Sequence, residues 1–453
     1  MVFAIALIVL VLATVLFHFL SPWYFTPIAS NWDMVDSTVD VTFWVTGIVF
    51  VAVNLFLAYA IIRYRHRKDG PKQPAHYEPE NKKLEWWLTG ITSVGIAAML
   101  APGLSVWAKF VTVPEDAKAV EVVGQQWAWS YRFPGKDGQL GASDSKLITP
   151  ENPFGLDPND PVGQDDHLVT NNELHLPIGQ PVRILLRAKD VNHQFAVPQF
   201  RVKMDMVPGM ITYFWFTPTR TGSYDVLCEQ LCGVAHFAMR GRVVVDEPAA
   251  FDTWLAAQPT YSKVSAASKG DPEAGKALFA ACSACHGTQA EGNREVNAPK
   301  LSGQSDWYLA RQLQSFKAGV RGAHEKDLYA KQMMPFAAML ADEKAINDVV
   351  AYIKTLPEVR PAANIVGNPD RGRELYETCS ACHGSNAKGI WATNAPRLSN
   401  MSDWYMARQL QNFRTGIRGG HPQDFHGAQM GSMARVLKDD EAIADVLDYV
   451  RTL

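Results

Sequence analysis

The chain has 453 residues, more than one hydrophobic core holds, because single cores stop growing near roughly 250–300 residues. Its formal net charge of −3 excludes the strongly basic balance that is typical of nucleic-acid-binding proteins. Apolar residues concentrate in about the first 110 positions, so we expect a membrane segment there and water-exposed domains after it.

Three apolar runs occupy the membrane segment: Phe3–Leu20, Val39–Ile62 and Trp86–Val106. The second and third are long enough for transmembrane helices. The first has no basic start and no small-residue cleavage site, which favours an uncleaved membrane helix over a signal peptide.

Charges around the second and third runs predict the orientation of this hairpin. Basic residues accumulate in the loop between the runs, at Arg63, Arg65, Arg67, Lys68, Lys72, Lys82 and Lys83. Because basic loops stay on the cytoplasmic side, the turn should face the cytoplasm and the chain after about residue 108 should lie outside. We therefore predict a multi-pass protein of the bacterial inner membrane with its later domains in the periplasm.

From Ala117 to Asp246 the pattern is that of β structure, with Gly and Pro between short apolar runs. The predicted strands are Ala119–Val123, Val182–Leu186, Met210–Phe216 and Arg242–Val245. This pattern indicates a sandwich or a barrel. The stretch Pro134–Asp166, rich in Gly, Asp, Asn and Pro, predicts a long surface loop.

After a short helix and linker in Pro248–Lys269, the chain repeats itself with an offset of 97 residues. Residues 282–287 recur at 379–384, and residues 298–324 recur at 395–421. This is a tandem duplication of a small helical domain. Its helices are predicted from apolar spacing at Asp306–Phe316, Asp342–Leu356, Asp403–Phe413 and Asp439–Leu453.

Each repeat carries a C-x-x-C-H motif, the attachment signature of c-type haem. The motifs are Cys282, Cys285 and His286, then Cys379, Cys382 and His383. Structural disulfides or zinc knuckles would not require a histidine directly after each pair. Two covalently bound haems c are therefore predicted.

A methionine as the second axial ligand would raise the haem potential. Of the methionines in the repeats, Met333 and Met430 agree under the offset of 97, and they are the axial candidates. Met334 and Met433 are the alternatives. His324 and His421 also match under the offset, and stay open as ligands or as solvated loop residues.

The third cysteine pair lies in a twelve-residue loop, Cys228–Met239, which also contains His236. Thiolate, thioether and imidazole ligands together favour copper over magnesium, calcium or manganese. Two thiolates this close, Cys228 and Cys232, can bridge two coppers. A further histidine from elsewhere is needed, and His193 is preferred over His167 and His175 because it follows a strand-like run and precedes a proline.

These motifs resemble subunit II of the haem–copper cytochrome c oxidases over about residues 36–258. The resemblance rests on two transmembrane helices, G-Q-Q-W-A-W-S-Y at 124–131, D-V-N-H-Q-F-A-V-P at 190–198, D-M-V-P-G at 205–209 and the copper loop. The tail resembles two tandem class I cytochromes c of the c4-like kind. The whole is similar to a caa3-type subunit II with two haems.

The resemblance implies a dinuclear CuA centre on a cupredoxin fold. Cys228 and Cys232 would bridge the coppers, His193 and His236 would cap one each, and Met239 would be a weak ligand. Residue 230 would bind through its main-chain carbonyl. The family commonly has Glu there, whose side chain contributes to an interface magnesium or manganese site, and Gln230 puts that site in doubt.

Further roles are implied by matching positions. Trp127 matches an aromatic residue used for electron transfer near the copper centre, and Glu85 matches an acidic residue at the cytoplasmic mouth of a proton path. Pro299 and Pro396 resemble the proline whose carbonyl orients the haem-ligating histidine.

The sequence thus predicts a multidomain chain. A transmembrane helical hairpin, preceded by an N-terminal helix or signal, leads to a β cupredoxin domain and two tandem all-α class I cytochrome c domains. The expected boundaries are 1–37 for the N-terminal segment, 38–108 for the hairpin, 109–247 for the CuA domain, 248–270 for the linker, and 271–357 and 358–453 for the cytochrome domains.

The function implied is electron transfer in a respiratory terminal oxidase. A periplasmic cytochrome or other one-electron donor would reduce the haems, and electrons would pass to copper and then past Trp127 into subunit I, which reduces O₂ to water and translocates protons. Other oxidase subunits are expected partners, and nucleic acid is not. The alternatives are a nitric oxide reductase subunit, a membrane-tethered copper carrier and a free multihaem shuttle.

Overall fold

Three long apolar helices begin the chain in the computed structural model, which describes residues 1–21, 26–65, 80–150, 152–267 and 270–453. They are α1 (Val2–Leu20), α2 (Asp33–Tyr64) and α3 (Lys82–Val111). Within the described ranges, these three are long and apolar enough to cross a membrane. The loop residues Arg67, Lys68 and Lys72, used above to predict orientation, lie outside the described residues.

Both helices of the hairpin are fastened to the β domain at the ends away from their connecting loop. At the start of α2, Arg201 pairs with Asp36 at 2.6 Å, and the indole of Trp32 donates to the carbonyl of Trp215 at 2.9 Å. At the end of α3, the indole of Trp215 donates to the carbonyl of Lys109 at 3.1 Å. The β domain therefore lies at the Asp33 end of α2 and at the Val111 end of α3.

The β domain consists of two five-stranded sheets packed face to face. One sheet has the order β3-β2-β1-β5-β8 and the other the order β4-β10-β9-β6-β7. The strands are β1 (Lys118–Gln125), β2 (Ala128–Phe133), β3 (His167–Val169), β4 (Glu173–Pro177), β5 (Val182–Ala188), β6 (His193–Val197), β7 (Val202–Met206), β8 (Thr212–Phe216), β9 (Gly222–Cys228) and β10 (Arg240–Asp246). Trp129, Phe195 and Phe214 are fully buried between the sheets.

The four predicted strands correspond to β1, β5, β8 and β10, although β8 begins at Thr212 rather than Met210. The prediction missed the other strands. In β9, for example, Val226 is the one buried residue. Its sequence, G-S-Y-D-V-L-C, therefore lacks the run of apolar residues from which the other strands were predicted.

The segment from Pro134 to Asp166 was predicted as a surface loop, and that prediction is wrong for its centre. Phe154 and Leu156 are completely buried, in a small core that includes Leu168 and Tyr261. These two apolar side chains cover part of the β domain although polar residues surround them in the sequence. Tyr261 comes from the stretch predicted as a linker, which forms α4 (Pro248–Ala256) and α5 (Tyr261–Ala267); residues 268–269 of the predicted linker lie outside the described residues.

Two helical units of the same design follow. The first unit contains α6 (Pro272–His286), α7 (Asp306–Lys317), α8 (Leu328–Ala338) and α9 (Glu343–Thr355). The second contains α10 (Pro369–His383), α11 (Asp403–Thr415), α12 (Phe425–Ala434) and α13 (Asp440–Thr452). Glycines let the outer helices of each unit cross closely, because a Cβ on Gly275 would lie 1.9 Å from the carbonyl oxygen of Asp348, and one on Gly372 would lie 2.0 Å from that of Asp445.

The two units face each other through equivalent residues. Arg321 donates to the hydroxyl of Tyr405, and Arg418 donates to the hydroxyl of Tyr308 at 3.0 Å. The two pairs are equivalent, because Arg418 and Tyr405 are the positions that correspond to Arg321 and Tyr308 under the offset of 97. The contact is therefore self-complementary, as in a two-fold symmetric dimer.

Candidate metal centre and haem cavities

A hairpin connection closes the Cys228–Met239 loop. Strand β9 ends at Cys228, β10 begins at Arg240, and the two strands pair antiparallel. The amide of Cys228 donates to the carbonyl of Met239 at 3.3 Å, which brings the first and last residues of the loop together. Strand β6 begins at His193 and pairs with β9, so this distant histidine arrives beside Cys228.

The predicted copper ligands converge on one another. The Sγ atoms of Cys228 and Cys232 are 3.7 Å apart, Cys232 Sγ lies 3.4 Å from His236 Nδ1, and Cys228 Sγ lies 3.9 Å from His193 Nδ1. Ligand atoms of His193, Cys228 and Cys232 all fall within 4.8 Å of one another. For metal–sulfur bonds near 2.3 Å and metal–nitrogen bonds near 2.0 Å, two ligands of one tetrahedral metal are separated by roughly 3.5–3.8 Å. The donor set therefore fits metal ions held between the two thiolates.

Two weaker donors complete the cluster. The Sδ atom of Met239 lies 3.7 Å from Cys232 Sγ, and the main-chain oxygen of Gln230 lies 3.3 Å from Cys228 Sγ. Cys232 and Met239 are buried, whereas the Gln230 side chain is exposed. Position 230 can thus offer its carbonyl whatever its side chain.

Asp190 holds His193 in place. Its Oδ1 lies 2.8 Å from His193 Nε2, and its other oxygen accepts from the amide of Gln126 at 2.7 Å. Burial lowers the pKa of His193, but the hydrogen bonds to Asp190 and Cys228 and their negative charges more than offset this effect, so that the net shift is upward. With Nε2 bound to the carboxylate, Nδ1 is the nitrogen directed at Cys228.

The two thiols of the cluster interact with each other, with their Sγ atoms 3.7 Å apart. A hydrogen bond from Cys232 is the main cause that lowers the pKa of Cys228 to about 3, and the same coupling raises the pKa of Cys232. A pair in which one sulfur is already ionised is prepared to bind a soft metal.

The competing histidines lie elsewhere. His167 Nδ1 is 3.2 Å from the carbonyl of Gln258, and His175 lies between Glu173 and Asp246 with its ring stacked 4.2 Å from that of Trp254. Neither belongs to the ligand cluster found among the described residues. The structure therefore favours His193, as the sequence did.

Trp127 is buried beside the copper ligands and touches the second unit. Its indole nitrogen donates to the carbonyl of Cys232 at 3.1 Å, while its own carbonyl accepts a hydrogen bond from the side chain of Gln429. The sequence-based role of Trp127, passing electrons from copper toward subunit I, stays a prediction. The residue lies between the copper loop and a haem-binding unit of the same chain.

The first unit contains a mainly apolar cavity of about 490 Å³. Cys282, Cys285, His286 and Met333 all line it. The Nδ1 atom of His286 lies 2.8 Å from the carbonyl of Pro299, which leaves the other ring nitrogen as the ligand, and burial lowers the pKa of this imidazole. Two thiols and a neutral imidazole at an apolar cavity fit a covalently attached haem.

The alternative axial candidate in the first unit has a different environment. The Sδ atom of Met334 would lie 3.0 Å from a Cβ on Gly322, so this side chain packs against the loop before α8. Of these two candidates, Met333 lines the cavity and Met334 does not.

The second unit repeats the histidine arrangement. His383 Nδ1 is 2.8 Å from the carbonyl of Pro396, and burial lowers the pKa of this imidazole as well. Met430 is half-buried on α12 and corresponds to Met333.

Glu85 lies exposed in the first turn of α3, far along the chain from these sites.

Comparisons with known proteins agree with this division. Residues 118–247 match the family of the cytochrome c oxidase subunit II periplasmic domain, and residues 272–357 and 369–453 match the cytochrome c family. The alternative cytochrome c oxidase subunit 2 of Bradyrhizobium diazoefficiens is 59% identical over 264 residues, which cover 58% of this chain and 94% of that relative. The chain belongs to the cytochrome c oxidase subunit II family.

Two further similarities cover different parts of this subunit II. Cytochrome c oxidase subunit 2 of Cereibacter sphaeroides is 28% identical over 238 residues, covering 51% of this chain and 77% of the relative. The crystal structure of reduced cytochrome c4 from Pseudomonas stutzeri has 28% identity and a TM-score of 0.34, and covers 41% of this chain and 100% of that one.

The predictions of family, fold class and function are therefore confirmed. This subunit II is an electron-transfer subunit of a haem–copper oxidase, anchored in the membrane by apolar N-terminal helices. Its β domain is of the kind that binds CuA, its helical units are of the kind that bind haem c, and it works with subunit I and other oxidase subunits.

Sequence reasoning missed several residues that surround the sites. Asp190 could have been found, because it precedes His193 by three residues in the D-V-N-H motif. Gln125 lies in the motif at 124–131, but nothing in the sequence indicates that it and Gln429 join the β domain to the second unit.

Proposed function

We propose that this subunit II accepts electrons from an external one-electron donor and delivers them through two haems c and a dinuclear CuA centre to subunit I. There O₂ is reduced to water with proton translocation. The observation that carries the proposal is the convergence of both thiolates, both imidazoles, the thioether and one carbonyl within a single cluster.

The copper ligands are assigned as follows. Cys228 and Cys232 would hold the copper pair through their thiolates, His193 and His236 through their imidazoles, and Met239 and the carbonyl of Gln230 would be weaker donors. When bound, the metal pair supplies a site for one electron at a time. The surrounding residues keep the ligands fixed: Asp190 orients one histidine, and burial of Cys232 and Met239 excludes water. Rigid ligands need little rearrangement when the charge of the site changes.

The haem ligands are assigned by the repeat. Cys282, Cys285, His286 and Met333 hold one haem, and Cys379, Cys382, His383 and Met430 hold the other. The proline carbonyls at 2.8 Å orient both histidines and support this assignment. Methionine as the sixth ligand favours a high potential, which suits donation toward an oxygen-reducing partner.

The partner surface and the orientation are also proposed. Leu231 and Phe237, on the copper loop, are 76% and 61% exposed, and such exposed apolar residues support contact with subunit I. The basic residues near the hairpin turn support a cytoplasmic turn, with the β domain and helical units in the periplasm. Glu85, near that turn, would then lie at the mouth of a proton path. Gln230 argues against an interface magnesium or manganese site.

Purification of the native complex from membranes tests the function. Haem a and O₂ uptake should co-purify with this chain; their absence from an intact complex would contradict the oxidase assignment. The copper assignment is tested by Cys232→Ser, which should abolish the near-infrared absorption and the multi-line EPR spectrum of an electron shared by two coppers. Glu229→Gln is the matched control, because its side chain pairs with Lys203 outside the cluster, and it should keep both signals.

A further inference from the structure

The second unit docks on the β domain through one defined face. Cys382 packs against the β-domain core, and the carbonyl of Ala392 accepts from the side chain of Gln125 at 2.8 Å. Lys189 lies 5.5 Å above the ring of Trp391. Gln429 donates to the carbonyl of Trp127, beside the copper ligands.

The duplicated sequence puts an equivalent face on the first unit. The positions that correspond under the offset of 97 to Cys382, Trp391, Ala392 and Gln429 are Cys285, Arg294, Glu295 and Gln332. All four of these first-unit residues are exposed, whereas their second-unit counterparts are partly covered. One copy of the face is therefore used inside the chain and the other is open.

Exposed apolar side chains also belong to the open face. Val296 and Phe336 are 48% and 42% exposed, and both line the first-unit cavity together with Cys285. Their second-unit counterparts, Thr393 and Met433, are half-buried. Exposed apolar residues at the rim of a cofactor cavity indicate a protein contact surface.

We propose that this face, made by Cys285, Arg294, Glu295, Val296, Gln332 and Phe336 and called the receiving face, docks an external one-electron carrier protein. Electrons then reach this chain at the first unit and leave it through the second unit and the β domain. The inference rests on the proposed function and adds to it the direction of flow and the site of the donor.

The choice of occupant follows from the internal copy. On the second unit the same face receives a redox domain, with Gln429 and Cys382 placed against the residues that surround the copper ligands. A partner with a one-electron centre near its surface would be brought equally close to the first-unit cavity. A small reductant would need no such surface.

Binding to the intact oxidase tests the receiving face. The probe is oxidised mitochondrial cytochrome c, a soluble one-electron carrier, and its Kd is measured by surface plasmon resonance without turnover. Val296→Glu with Phe336→Glu should raise Kd by about tenfold or more, because charges in an apolar contact centre cost at least about 1.4 kcal/mol. Reduction of the haems by ascorbate with a small mediator should not change.

A matched pair on the second unit is the control. Val366→Glu with Val436→Glu places the same charges at residues that are 86% and 48% exposed and lie outside the receiving face, and Kd should stay within about twofold. Gln332→Trp is a second variant on the face, for use if the double variant loses its haem spectrum, and it should also weaken binding.

The inference would be overturned by an unchanged Kd in both face variants, or by an equal loss of affinity in the control pair. It would also be overturned if the face variants converted a dimeric oxidase to single complexes while Kd stayed unchanged, because the face would then bind a second copy of the oxidase. Failure of the proposed function looks different, because the wild-type complex would then consume no O₂ with ascorbate and mediator.

Discussion

The side-chain amide of Gln429 donates to the main-chain carbonyl of Trp127, and the indole of Trp127 donates to the carbonyl of Cys232 at 3.1 Å. Two hydrogen bonds thus lead from the second helical unit to Cys232, a proposed copper ligand. The contact joins the helix that carries Met430, the proposed haem ligand, to the surroundings of the proposed metal cluster.

Replacing Gln429 by Ala should slow internal electron transfer to copper, by at most about tenfold. A hydrogen bond contributes about 0.5–1.5 kcal/mol, so its loss lowers the equilibrium constant for docking by about two- to tenfold, and the rate can fall by no more than that factor. The measurement is the rise of copper reduction after flash reduction of the haems, read in the near-infrared. Gln332→Ala, at the equivalent position of the first unit, should leave this rate unchanged; equal slowing in both variants would show that Gln429 has no special position.

Asp190→Asn should weaken copper retention by roughly tenfold. The carboxylate holds His193 Nε2 at 2.8 Å, and partners of this kind typically change metal affinity by about 10–100-fold. Competition with a copper chelator, followed by EPR, provides the measurement. Asp205→Asn is the control, because the exposed Asp205 accepts from the side chain of Gln194 at 2.6 Å on the neighbouring strand pair. Equal copper loss in both variants would contradict a positioning role for Asp190.

Met333→Leu should remove the charge-transfer band of a methionine-ligated ferric haem from the first unit and lower the potential of that haem. Met333 lines the cavity with His286, whereas Met334 packs toward Gly322. Met334→Leu should therefore keep both the band and the potential in a spectroelectrochemical titration. The reverse pattern would assign Met334 as the ligand.

The parts of the molecule that could be predicted from the sequence are the motifs in which the chemistry of a cofactor fixes the spacing between its ligand residues. Cys228 to Met239 and the two C-x-x-C-H motifs must place thiolates and imidazoles within bonding distance of one cofactor, so their residue types identify them. His193 could be inferred because a strand end is where a distant ligand can join such a loop. The structure brings it within 3.9 Å of Cys228.

What could not be predicted depends on contacts between distant segments. Phe154 and Leu156 lie in a polar stretch, and their burial follows from the shape of the sheet they cover. Gln429 and Gln332 occupy equivalent positions of the repeat, each followed by a methionine, yet one is docked and the other exposed. The difference arises from how the β domain and the second unit pack, and neither repeat encodes it alone.

His175 should make the stability of the β domain depend on pH. Burial lowers its pKa, but hydrogen bonds and attraction from Glu173 and Asp246 more than offset this, so the net pKa is raised above the ordinary value of 6.5. The stabilisation is therefore complete below about pH 6.5 and is lost as pH rises through the folded-state pKa. In the full-length subunit, the denaturant midpoint of copper near-infrared absorption should fall over this range, and His175→Gln should flatten the fall. The control is His167→Gln, which replaces a histidine that lies against the carbonyl of Gln258. This variant should keep the wild-type dependence of the denaturant midpoint on pH. An unchanged slope in His175→Gln would show that other groups control it.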